Sequence, residues 1–235
     1  MALYWGLFIL FLLYFVVYET WWGLTGYKKI MKSVSEGTLQ KTHLYKKTLL
    51  SLWIPTGIVM ILIFTDILQL KDIGLNWIRP YSQSLLFYIA LVLASLYFIY
   101  LVYSLTVLKI NAMKKISLNQ KMPEEVKLML PVTSNEKKVW VVTAISAGIT
   151  EEILFRGFLF FLAGQLFPAL NIFWILGAAT LIFGIGHLYQ GLTEAVKPML
   201  IGFMFGLFYI AFGSILPCIL LHAMQDLCAT YIINE

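Results

Sequence analysis

Seven apolar runs, most of them about twenty residues long, constrain this chain more than any other feature, because a run of that length spans the hydrocarbon core of a bilayer as a helix. They fall at about Leu3–Trp22, Leu49–Leu68, Ser84–Leu108, Val139–Phe161, Ala169–His187, Pro198–Phe212 and Ser214–Ile233. Lipid offers backbone N–H and C=O groups no partners, so each run has to satisfy its own as a helix. The expected fold is all-α, a polytopic membrane helix bundle of about seven to eight transmembrane helices. The eighth element would hide in one of the basic segments. Only 12% of the 235 residues are charged and 60% are hydrophobic, against about 25% charged in soluble domains. No stretch reads as a separate soluble domain.

The basic residues gather in two segments. Tyr27–Lys47 carries Lys28, Lys29, Lys32, Lys41, Lys46 and Lys47 against Glu36. Lys109–Lys138 carries Lys109, Lys114, Lys115, Lys121, Lys127, Lys137 and Lys138, with Glu124, Glu125 and Glu136. They follow the first and third spans, so both lie on one side of the membrane. The positive-inside rule makes that side cytoplasmic, with the N-terminus outside and the C-terminus inside. The net charge of +5 therefore points to anionic lipid and not to nucleic acid. Residues 1–138 form an N-terminal group of helices and 139–235 a polar-motif core, within one integral membrane domain.

Smaller signals refine this picture. Met1–Trp22 has no preceding Lys or Arg and no small-residue cleavage site, so a permanent span is expected in place of a removed signal peptide. Pro55 and Gly57 suggest a kink early in the second span. Asp72–Asn76 reads as a turn. Pro123 opens a short helix through Leu130 that Pro131 ends, a piece that lies on the membrane surface or forms a plain solvated loop. Cys218 and Cys228 are ten residues apart on one helix, about 15 Å of rise, too far to bond each other. Both read as buried apolar fillers. No internal repeat supports an inverted-repeat transporter.

Against this apolar background, Glu151, Glu152 and Arg156 are conspicuous. Ionisable residues near the bilayer centre cost roughly 2.5–3.5 kcal/mol each on insertion scales, which makes them functional candidates by default. Glu152 and Arg156 are four apart, share a helix face and can pair. Glu151 lies about 140° around the helix from Arg156 and is left without a local partner. The pair reads as an anchor and Glu151 as the carboxylate free for chemistry. A purely structural network is the competing reading, although a buried ion pair gains little over apolar packing.

Two further motifs follow. Phe183-Gly184-Ile185-Gly186-His187 closes the fifth run, its glycines permitting close approach of a neighbouring helix backbone. His222 and Asp226, four apart, share a face of the seventh helix, and the Asp can orient the ring. Burying these clusters separately would be costly; one shared chamber lets them satisfy one another. Two chemistries then open. A carboxylate can activate water while histidines steer it and stabilise an oxyanion. Alternatively, Glu151, His187 and His222 can hold a divalent metal such as zinc, with an open position for water. Helix rise places Glu151 about 15–18 Å from the cytoplasmic end of its span. A cavity opening toward the cytoplasm or sideways into the bilayer is expected.

At these residues the chain resembles the CAAX protease and bacteriocin-processing (CPBP) family of intramembrane proteases, which includes the eukaryotic Ras-converting CAAX endopeptidase and the former "abortive infection" proteins. The matching motifs are Glu151-Glu152-x-x-x-Arg156, Phe183-x-x-x-His187 and His222-x-x-x-Asp226, with Phe155-Arg156-Gly157-Phe158 and Gly213-Ser214-Ile215-Leu216-Pro217 alongside. The resemblance covers about Leu130–Ile233. It implies hydrolysis of peptide bonds in membrane-associated peptides or proteins. Glu151 would activate water, His187 would hold the water or shuttle its proton, and His222 with Asp226 would stabilise the oxyanion, with Glu152, Arg156 and Phe183 in support. No cofactor is required on this reading; the metallo version is the alternative. The family's prenyl-protein members more often carry Asn at the position of Asp226. Asn is an amide donor, whereas an ionised Asp repels an oxyanion, so Asp226 would be protonated, orient His222 or help hold a metal. The implied setting is a multi-pass protein of a bacterial plasma membrane. Two other classes compete: a proton- or ion-coupled carrier, and a non-catalytic immunity or scaffold protein.

Overall fold

A computed structural model describes residues 1–78 and 84–232, the side chain of Glu125 excepted. The last residue of the expected seventh run, Ile233, and positions 79–83 of the second linker lie outside the described residues. Nine helices and no strand occur among the described residues. Each of the seven expected runs corresponds to one of the longer helices, so the all-α bundle is what the sequence folds into.

Helix α1 runs unbroken over Ala2–Ser35, far beyond the expected end at Trp22. No proline interrupts it, and lysine is a good helix former. Chain reversal waits for Gly37, whose φ of 72° closes the helix by letting the Thr38 and Leu39 amides return to the Ser33 carbonyl. Helix α2 then covers Lys41–Phe64. The first basic segment is therefore two helix ends joined by a tight turn, and not a loop. Pro55 lies within α2, which continues past it.

After a short turn at Leu70–Ile73, α3 spans Leu85–Ile110, capped by Ser84. Two short helices follow, α4 (Ala112–Lys121), capped by Asn111, and α5 (Glu124–Met129), with Pro123 at its N-cap. The second basic segment is thus helical too. Lys41 donates to the Leu130 carbonyl at 2.8 Å, and Tyr45 to the Met129 carbonyl at 2.7 Å. These bonds bring the two basic segments together at one end of the bundle.

The core helix α6 begins at Ser134 under a Thr133/Glu136 capping box. It passes through a π-helical stretch, Glu152–Phe158, and continues as α-helix over Leu159–Leu166. Helices α7 (Ile172–Gly186), α8 (Leu192–Phe212) and α9 (Leu216–Cys228) complete the bundle. Four helices, α1, α2, α3 and α8, are long and apolar enough to cross a membrane, and α7 is a shorter apolar helix. Helix α9, at 13 residues, is shorter than the expected Ser214–Ile233. It rises about 20 Å, less than a hydrocarbon core.

Helix α6 sits at the centre. Ile153, Leu154, Phe155, Phe158 and Leu162 pack with Phe11 and Phe15 of α1, Val59 and Leu62 of α2, and Leu176 and Phe183 of α7. A second cluster joins Phe205, Phe208 and Phe212 of α8 to Leu101 of α3 and to Cys218 and Leu221 of α9. Helix α3 leaves Leu91, Leu93, Leu96 and Ile99 exposed, as suits a helix facing lipid. Two glycines set close approaches to neighbouring backbone. A Cβ on Gly148 would stand 2.8 Å from the Ala223 amide nitrogen, and one on Gly157 would stand 2.6 Å from the Ile73 carbonyl oxygen. The first lays α9 against α6. The second seats the π stretch on the Leu70–Ile73 turn. That turn is itself latched to the α8–α9 corner, where Ile215 donates to the Gly74 carbonyl and Asn76 to the Gly213 carbonyl.

Candidate active site

Five side chains that the sequence singled out, Glu151, Glu152, Arg156, His222 and Asp226, meet where α6 and α9 are in closest contact. Glu152 is fully buried and Arg156 is 3% exposed. Arg156 Nη1 donates to Glu152 Oε1 at 2.9 Å. The same oxygen accepts from His222 Nδ1 at 2.7 Å. Glu152 therefore both neutralises the guanidinium and fixes the imidazole, a second role that pair spacing on one helix did not suggest. The sequence offered Asp226 as the residue that orients His222. In the structure Asp226 Oδ2 stands 3.8 Å from His222 Nε2, beyond hydrogen-bond range, and Glu152 makes the orienting bond. The reason is the Gly148–Ala223 contact, which brings α9 down beside Glu152.

With a hydrogen on Nδ1, His222 presents Nε2 to the open side. There it faces Asp226 and also Glu151, whose Oε2 lies 3.7 Å away. That Glu151 oxygen is buried and receives no hydrogen bond from the protein; Glu152 Oε2 is in the same condition. Arg156 is held from its other faces by the Phe183 ring at 4.6 Å and the Phe205 ring at 5.9 Å. A Cβ on Gly202 would meet Arg156 Nη2 at 2.8 Å, so α8 has space for the guanidinium only because residue 202 lacks a side chain.

His187 ends α7, where its Nδ1 donates to the Phe183 carbonyl at 2.8 Å. A neutral ring so tied presents the Nε2 lone pair outward. No hydrogen bond or ion pair joins His187 to Glu151 among the described residues, but His222 and Arg156 are among its electrostatic neighbours. The glycines before it act differently from the sequence expectation. Gly184 admits the Met199 side chain, not a helix backbone, and Gly186 faces open space.

Glu151, His187, His222 and Asp226 all line one cavity of about 1150 Å³. Its walls continue past Trp140 and Tyr189 to Tyr45, Lys114, Lys121 and Lys197. The chamber thus runs from the buried carboxylates to the end of the bundle where the basic segments meet. The two π-helical stretches of α1, Leu13–Glu19 and Gly23–Tyr27, have wider turns than an α-helix. They keep Phe15, Glu19, Gly23 and Tyr27, each four residues on, facing this space. Cys228 is half-buried and lines the cavity, whereas Cys218 is buried and donates to the Phe205 carbonyl.

Sequence reasoning missed several lining residues. Glu19 is a carboxylate inside the first apolar run, and its charge alone could have flagged it. Trp140, which donates to the Asp226 carbonyl at 3.0 Å, and Tyr97, which donates to Gln225 Oε1 at 2.6 Å, gave no sequence signal, because their partners are distant in the chain. No group of three His, Cys, Asp or Glu side chains among the described residues is placed to share an ion.

No curated protein and no solved structure matches the chain. Residues 134–228 match the family described as Type II CAAX prenyl endopeptidase Rce1-like. That segment, 95 of the 235 residues, holds α6 to α9 and all three polar motifs, so this part of the chain is similar to that family.

Proposed function

We propose that the protein is a glutamate-type intramembrane endopeptidase that hydrolyses peptide bonds of membrane-associated peptides or proteins in the cavity between α6, α7 and α9. The observation that carries this reading is the position of Glu151. Its carboxylate has a buried oxygen free of protein hydrogen bonds, 3.7 Å from His222 Nε2, on the wall of a chamber large enough for an extended peptide.

In the proposed reaction Glu151 takes a proton from a water molecule as the water oxygen bonds to the scissile carbonyl carbon. His187, through its Nε2 lone pair, accepts a hydrogen bond from that water and aims it. The carbonyl π pair moves onto oxygen, giving a tetrahedral oxyanion near His222. The ring of His222 is held by Glu152, which is itself held by Arg156. When the oxyanion collapses, the C–N bond breaks and the leaving nitrogen takes the proton from Glu151. A carboxyl product and an amine result. Asp226 adds negative charge beside His222 and so favours a proton on its Nε2. On this reading the reaction runs without a metal.

The basic segments at the cavity mouth support a cytoplasmic entrance by the positive-inside rule. Substrate then arrives from the cytoplasmic leaflet of a bacterial plasma membrane. The test is cleavage by the purified protein, in detergent or liposomes, of a mixed library of prenylated and unmodified membrane peptides, read by mass spectrometry. Cleavage by wild type and its loss in Glu151→Gln, with the melting temperature unchanged, is the expected result. A carrier would cleave nothing, and a scaffold would bind without cleaving. Either outcome, or full activity of Glu151→Gln, refutes the reading.

A further inference from the structure

The side chains assigned so far are poor donors to an oxyanion. Asp226, when ionised, only accepts hydrogen bonds. The Nδ1 hydrogen of His187 goes to the Phe183 carbonyl, so its neutral ring turns a lone pair toward the cavity. His222 has Nε2 at 3.7 Å from Glu151 and 3.8 Å from Asp226, so a hydrogen there faces two carboxylates before substrate arrives. A site that holds three carboxylates around one imidazole needs a neutral donor that no anion has claimed.

Gln225 supplies one. It lies three residues after His222 on α9 and next to Asp226, so it shares the face of α9 that carries the site. Like them it lines the cavity. Its Oε1 accepts a 2.6 Å hydrogen bond from the Tyr97 hydroxyl of α3. An amide is planar, so fixing the oxygen fixes the direction of the NH₂ group. Nε2 makes no hydrogen bond to any described residue and is not sealed from the cavity. Gln190, the other side-chain amide lining the cavity, already donates to the Tyr189 hydroxyl.

We infer that Gln225 is a catalytic residue that donates a hydrogen bond through Nε2 to the oxyanion of the tetrahedral intermediate, and that Tyr97 is its positioning residue. The inference rests on the protease reading. It supplies an amide one position before the carboxylate that cannot serve. No bond to Gln225 forms or breaks and no proton leaves it. It stabilises the negative charge that appears on the carbonyl oxygen when water adds and disappears when the C–N bond breaks. It also makes α3, which lies outside the matched segment, part of the catalytic apparatus.

The test uses the full chain and the library peptide that wild type cleaves best. Loss of a single oxyanion donor typically lowers kcat by about 10²–10³-fold. Gln225→Ala is expected to show a loss of that order with KM unchanged. Gln225→Glu keeps the acceptor for Tyr97 but removes the donor, and should lose as much activity while melting like wild type. Tyr97→Phe breaks the tie but leaves the amide, and should lose less than either. A purely structural tie between α3 and α9 predicts the opposite order, with Gln225→Glu spared and Tyr97→Phe damaged. That order, or a kcat for Gln225→Ala within a factor of a few of wild type, overturns the assignment. A wild-type protein that cleaves no peptide removes the protease reading itself, and this inference with it.

Discussion

Removing Glu152 should reveal how the site is held together. Its Oε1 serves two donors at once, Arg156 Nη1 at 2.9 Å and His222 Nδ1 at 2.7 Å, in a place that solvent does not reach. Glu152→Ala leaves a guanidinium 3% exposed without its counter-charge, and breaking one side of a buried pair costs about 3–5 kcal/mol. Arg156→Ala strands the carboxylate in the same way and falls in the same range, toward its lower end because His222 still donates. The double variant Glu152→Leu/Arg156→Met removes both charges while roughly keeping volume, a change that is often close to neutral. What remains is the orphaned His222 Nδ1, worth about 1–3 kcal/mol. The double variant should therefore unfold at higher denaturant than either single one, by the equivalent of about 2 kcal/mol, although it is inactive. Denaturant unfolding in detergent micelles, followed by tryptophan fluorescence, measures all three. Glu151→Gln is the reference, expected within about 0.5 kcal/mol of wild type because Glu151 Oε2 takes no hydrogen bond from the protein. If Glu152→Ala is as stable as Glu151→Gln, or the double variant is weaker than both singles, the network does not hold the site as described.

Other outcomes follow from packing and access. Gly148→Val puts side-chain atoms where the Ala223 backbone already stands 2.8 Å from a Cβ; overpacking of this kind costs about 1–3 kcal/mol and should move His222 off Glu152, abolishing cleavage. Gly164→Ala, where a Cβ meets nothing within 4 Å, is the control expected to keep stability and activity. A membrane-permeant maleimide should label Cys228, which lines the cavity, and leave Cys218, which is 0% exposed, unmodified in the folded protein. Equal labelling of both thiols, scored by intact mass, contradicts the position of the chamber.

The sequence determined the class of fold, because apolar runs of spanning length have one way to satisfy their backbone in lipid. It also singled out the candidate site residues, since Glu151, Glu152, Arg156, His187, His222 and Asp226 stand out in an apolar chain that gives them no local reason to be there. The pairing of Glu152 with Arg156 was legible because both ends lie one turn apart on a single helix. Helix ends were harder to read. Lysine-rich stretches look like loops by charge, yet α1 and α2 run through them until Gly37 turns the chain. Tertiary structure decided who serves whom around His222. Glu152, not Asp226, holds its ring, because the missing side chain at Gly148 lets α9 settle against α6. It also decided that Tyr97 of α3 reaches Gln225 of α9, a contact between residues 128 apart that neither periodicity nor motif spacing encodes. Charge and hydropathy are properties of single positions and survive in the sequence. The direction in which a buried polar side chain points depends on which neighbour leaves it space, and that is settled only when the helices pack.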